Sequence, residues 1–258
     1  DVSEAGLRLG LERTLMGLDY LRAGVNYTVE STGIYNVSDS ASAEMKGDSG
    51  RDLISKFGLT LAYDTRGGGY LPSTGQRTEL IVENASEVIG SDKDFYKLQL
   101  TSAQYFKGLN EGHVIEVIAR TGVVEKYGDT AEVPYIERYA LGGTSTLRGF
   151  EFREVGPRDA GNVVIGGKTM AVGTLEYSVP LPLGEWVRFA TFYDIGFVSR
   201  SAYDYSFDDY NDDWGIGLRL AIPMLGPMRL DYAFPLSTDA YNDKGGNFNF
   251  TFGYTQAF

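Results

Sequence analysis

Short segments in which apolar and polar residues alternate one for one run through almost the whole chain. Alternation with period two puts one set of side chains on each face of an extended strand, so it excludes a helical fold more firmly than any single motif could. Leu7, Leu9 and Leu11 alternate with Arg8, Gly10 and Glu12, and Leu21, Ala23, Val25, Tyr27 and Val29 alternate with Arg22, Gly24, Asn26, Thr28 and Glu30. The same reading predicts strands over 55–64, 77–84 (more weakly), 95–106, 113–126, 170–180, 186–199, 214–222, 228–234 and 247–258. That makes about eleven strands and no convincing helix. No apolar run approaches the roughly 20 residues of a membrane-spanning helix.

Connection lengths alternate as well. Short links follow the first, third, fifth, seventh and ninth segments, and long polar ones follow the others. Short turns at one end and long loops at the other belong to a transmembrane β-barrel, whereas a soluble sandwich has no such asymmetry. Composition agrees with a barrel. The chain has 18 Tyr, 14 Phe and 33 Gly, which suit interfacial rings and tight turns, and its net charge of -12 argues against a nucleic-acid partner. Cysteine is absent and His113 is the single histidine, so neither a thiolate nor a His-based metal site is expected. The opening residues, DVSEAGLRLG, lack a signal-peptide pattern. The expectation is that a signal has been removed or that the chain starts inside a longer protein. An odd strand count adds the expectation that further strands precede the first or that one strand has gone uncounted, since an unpaired edge in lipid is costly.

The longest irregular stretch, 127–168, contains YALGGTSTLRGFEFREVGP, with Arg148 near its middle. We read it as a long loop with an ordered tip folded into the barrel lumen. A guanidinium there needs carboxylates, because an unpaired buried charge is unfavourable. Glu176 and Asp194 lie on the polar faces of the two strands that follow the loop.

Four motifs carry a family resemblance: Gly142 to Phe150 (GGTSTLRGF), Asp64-Thr65-Arg66 through Pro72-Ser73-Thr74-Gly75, Phe192-Tyr193-Asp194-Ile195-Gly196, and Gly226 to Pro235 (GPMRLDYAFP), the last followed by an aromatic terminal strand. Their order and spacing resemble the C-terminal barrel of the Omp85 superfamily across about residues 55–258. The resemblance implies that residues 1–258 are the last part of a sixteen-stranded outer-membrane barrel, without the first strands or the periplasmic POTRA domains. It further implies an insertase of the assembly-factor branch, which folds and inserts β-barrel proteins through a lateral seam between first and last strands. Its partners would be unfolded outer-membrane protein clients, periplasmic chaperones, accessory lipoproteins of an assembly complex, and the lipid bilayer. The loop-lock motif would be Leu147, Arg148, Gly149 and Phe150, with Glu176 and Asp194 as lumen partners. The terminal seam strand would comprise Phe248, Phe250, Phe252, Gly253, Tyr254 and Phe258, with Gly253 weakening the strand from its interior. The alternatives are a translocation pore of the TamA or two-partner type, a patatin-fusion barrel, and a plain diffusion porin.

No arrangement of residues suggests catalysis, and no cofactor or metal is expected. The glycines after Asp64 and Arg66 lack the strand–helix context of a phosphate loop and read as a turn. Asp208, Asp209, Asp212 and Asp213 lack calcium-loop spacing and read as a solvated loop surface.

Overall fold

The computed structural model describes residues 2–35, 46–47, 49–67, 71–184, 186–222, 224–238, 241–242 and 245–253. They form one antiparallel sheet whose strands follow chain order: β1 (Val2–Thr14), β2 (Leu21–Ile34), β3 (Gly50–Asp64), β4 (Gly75–Ala85), β5 (Phe95–Lys107), β6 (Val114–Lys126), β7 (Thr169–Pro180), β8 (Val187–Ser199), β9 (Asn211–Ile222), β10 (Gly226–Ser237) and β11 (Asn247–Phe252). Among the described residues the helices include the single turns Glu87–Ile89 and Tyr135–Glu137. Each predicted strand has a counterpart, although residues 254–258 of the last one, predicted over 247–258, lie outside the described residues. Most extend beyond the sequence estimate, because backbone pairing continues past the last alternating side chain. Among the described residues β1 and β11 are the two edges and do not pair with each other.

The sheet is inside out relative to a water-soluble protein. Leu9, Leu11, Phe57, Leu175, Phe248 and Phe250 are exposed, while Lys56, Glu176, Asp194, Asp213, Arg219 and Asp231 are buried. Registers such as Asn26↔Gly58, Thr174↔Asp194 and Asp194↔Asp213 carry the polar side chains along one face. An apolar outer band around a polar interior is stable only against lipid. Rings mark both ends of the band. Tyr20 meets Tyr63 edge-on at 6.3 Å near the short turns, and Trp214 stacks on Phe234 at 5.4 Å near the long loops.

Three expectations need correction. The link 65–74 is as long as its counterpart 86–94, so length fails to distinguish the two ends there. At its roots Arg66 grips Asp64 in a bidentate pair at 2.9 and 2.8 Å and Thr65 N donates to Gln76 O at 2.8 Å. β9 begins at Asn211, so Asp212 and Asp213 are buried strand residues, not a solvated loop; Asp212 accepts hydrogen bonds from Tyr193 Oη and Ser237 N. Gly253 follows β11 instead of interrupting it. With φ of +66° it turns out of the extended conformation, and its N–H donates to Pro227 O at 2.9 Å.

Candidate functional site: a loop tip locked in the lumen

The segment 127–168 between β6 and β7 folds onto the polar face of the sheet. Two isolated bridges, Tyr139↔Gly167 and Leu141↔Val155, draw its limbs together. The tip is built by local bonds. Gly143 N donates to Phe150 O at 2.9 Å, Gly142 N donates to Thr146 Oγ1 at 2.8 Å, and Arg120 on β6 donates to Ser145 O. Leu147 and Phe150 bury themselves with Leu141, Val155 and Val172. Gly149 is pressed against the wall; a Cβ there would come within 2.6 Å of Asp213 Cβ and 3.1 Å of Pro235 N. A side chain at 149 would therefore push the tip off its seat.

Gly142 is constrained by conformation and by space. Its φ is +113°, and a Cβ would run into the Glu151 carbonyl oxygen. Gly142→Ala is expected to strain the tip by about 1–3 kcal/mol. Limited proteolysis should then cut within 143–152 while the strands stay intact; an uncut tip would show that the strain is relieved elsewhere.

Arg148 is 2% exposed and sits at the centre of a charged network. Its Nε and Nη2 donate to the two oxygens of Asp194 at 2.7 and 2.9 Å, and Nη1 donates to Glu176 at 3.2 Å and Asp231 at 3.5 Å. The guanidinium lies over the Phe192 ring, 3.3 Å from its centroid. Thr174 Oγ1 donates to Asp194 Oδ1 at 2.7 Å and fixes that carboxylate. Burial works against the Arg148 cation, but Asp194, Asp231 and Glu176 override it and raise its pKa well above the ordinary arginine value. The site thus brings Arg148, Glu176 and Asp194 into one contact.

It also recruits residues that the sequence analysis left unassigned. Arg219 donates to Glu176 through Nε at 2.7 Å and Nη2 at 2.5 Å, and to Asp231 at 2.5 Å. Arg229 lies 3.4 Å from Asp231 and 3.8 Å from Glu176. Alternation puts Arg219 and Asp231 on the lumen face, which is a usable signal. It cannot show that β9 and β10 place them beside Glu176 on β7.

The terminal strand touches the same site. Asn249 Nδ2 donates to Arg148 O at 2.8 Å, and Asn247 Nδ2 donates to Arg148 O at 3.2 Å and Phe150 O at 3.1 Å. Phe248, Phe250 and Phe252 point the other way and are exposed. Tyr254 and Phe258 lie outside the described residues. His113 is remote from the site, at a turn, with Nδ1 2.6 Å from Tyr177 Oη.

Comparison with known proteins bears on the family and the fold. The family described as "Omp85 superfamily domain" matches residues 1–256. The chain is 29% identical over 238 residues to the outer membrane protein assembly factor BamA of Nitratidesulfovibrio vulgaris, covering 91% of this chain and 30% of that protein. It is 25% identical over 251 residues to the SAM50-like protein CG7639 of Drosophila melanogaster, covering 93% of this chain and 54% of that protein. Among solved structures, BamA from Haemophilus ducreyi lacking POTRA domains 1-3 superposes with a TM-score of 0.75 at 22% identity, over 96% of this chain and 53% of that one. The chain therefore spans about a third to a half of the length of these relatives.

Proposed function

The chain belongs to the Omp85 superfamily, and from that premise we propose that it forms the membrane-embedded part of an insertase that folds and inserts β-barrel proteins. It is an outer-membrane β-barrel segment. The reading assigns it no chemical step and no cofactor; its work is physical. A client strand needs backbone partners before it can leave water, because unpaired N–H and C=O groups are not tolerated in hydrocarbon. A seam strand that exposes its own backbone edge supplies them by strand addition. A bilayer thinned beside a short seam would lower the cost of insertion further. The clients are unfolded outer-membrane proteins, delivered by periplasmic chaperones, with accessory lipoproteins as further partners.

The observation that carries this reading is the attachment of β11. Within the described residues it bonds along Met228–Ala233 of β10, and on its inner side its asparagines hold the carbonyls of the locked loop tip. A diffusion porin has no need to fasten a lumen loop to an edge strand.

The test is client insertion by the full-length protein in liposomes, with a urea-denatured barrel protein as client and a photo-crosslinker at position 251 or 252. Faster folding than in protein-free liposomes, with client crosslinks to β11, is expected. A client protected inside the liposome but not inserted would instead indicate a translocation pore. No acceleration, together with large steady conductance, would leave the porin reading standing.

A further inference from the structure

The locked tip is only one part of the loop. Near its beginning, in the single turn Tyr135–Glu137, Glu137 is itself buried against the wall. Its Oε1 accepts from Lys56 Nζ of β3 at 2.5 Å, and its Oε2 and its backbone oxygen each accept from Lys97 Nζ of β5 at 3.1 Å. Lys56 also pairs with Glu30 of β2 at 2.7 Å, and Lys97 lies 5.0 Å from the centre of the Tyr139 ring. Ile54, Phe95, Val124, Val133 and Tyr139 cluster beside this contact. Burial alone would raise the Glu137 carboxyl, but Lys97 and Lys56 hold it below the usual carboxylate range.

The two anchor points therefore carry opposite charges into opposite surroundings. Glu137 meets lysines on β3 and β5, while Arg148 meets carboxylates on β7, β8 and β10. A loop inserted the other way round would put Glu137 beside Glu176, Asp194 and Asp231, and Arg148 beside Lys56 and Lys97. Buried like charges oppose that arrangement. We propose that Glu137 is a second, charge-reversed latch: it sets the direction in which the loop enters the lumen and makes the loop a brace between the β2–β5 and β7–β10 parts of the wall. The inference concerns how the loop is held and stands apart from the insertase reading.

The test is hydrogen exchange on the full-length protein in lipid nanodiscs. Glu137→Lys places a cation against two lysines, so exchange over 133–141 should rise about tenfold or more, while 147–150 should change less than about twofold because the Arg148 lock is intact. Adding Lys97→Glu to Glu137→Lys should restore protection, because the pair is re-formed with its polarity reversed and Lys56 keeps Glu30. A merely steric role for Glu137 would not give that rescue. Lys97→Met provides a second variant on the wall side and should also loosen 133–141. Unchanged exchange in both Glu137→Lys and Lys97→Met, or a rise in Glu137→Lys that Lys97→Glu fails to reverse, would overturn the latch. Client insertion measured on the same samples bears on the insertase reading alone.

Discussion

Replacing Arg148 by alanine is expected to destabilise the barrel by about 3–5 kcal/mol, the range for removing one partner of a buried ion pair. The substitution takes from the fully buried Asp194 both guanidinium donors, leaving Thr174 Oγ1 donating to it at 2.7 Å, and it takes from Glu176 and Asp231 one of their cations. It also removes the cation stacked on Phe192. Arg148→Lys should recover only part of the loss. An ammonium restores the charge but cannot make the two parallel bonds to Asp194 at 2.7 and 2.9 Å. Urea unfolding in micelles, followed by tryptophan fluorescence and by gel mobility of the folded form, measures both. A loss below about 1 kcal/mol would place the lock with solvent-screened pairs and would sink the view of it as a buried centre.

Glu176→Ala is expected to have an effect of similar size for a different reason. Glu176 is where the loop's network joins that of the wall, accepting two bonds from Arg219 and one from Arg148 with Arg229 3.8 Å away. Its removal leaves Arg219 with Asp231 and its neighbour's carbonyl as remaining acceptors. Part of the loss must therefore persist when the loop tip is already free. In the Arg148→Ala background, Glu176→Ala should still destabilise, but by less than alone, with a coupling energy of about 0.5–3 kcal/mol as found for residues sharing one charged network. Strict additivity in that double-mutant cycle would mean that the loop and the wall do not form one unit.

Both predictions concern residues that differ in how visible they were in the sequence. Charge and alternation show that Arg148 needs anions and that Glu176 and Asp194 stand on polar faces, while the choice of these two carboxylates is what the Omp85 resemblance implies. Arg219 and Asp231 carried the same face signal on β9 and β10, yet nothing local ties them to β7. Phe192 stands in the FYDIG motif and shares the face of Asp194 by alternation, but its place under the Arg148 guanidinium depends on the loop tip reaching it across the lumen. Asn247 and Asn249 looked like ordinary strand polar residues until the loop carbonyls arrived beside them. The boundary at Asn211 was missed because Asp212 and Asp213 resemble loop composition, and only pairing with Asp194 and Ile195 makes them strand. Gly253 was misplaced because composition cannot report a sign of φ.

Strand number, antiparallel order and the lipid-facing side are legible in the chain alone, because period-two patterning and turn chemistry act over a few positions. The entry of the 127–168 loop into the lumen is legible only as what the Omp85 resemblance implies. The partners across the lumen come from the folded sheet: Arg148 with Asp231 of a strand 83 residues on, Lys56 with Glu137 81 residues on, and the β11 asparagines with the loop tip. Those contacts depend on the cumulative register and curvature of many paired strands, and a buried charge settles on whichever opposite charge that geometry brings within a few ångströms.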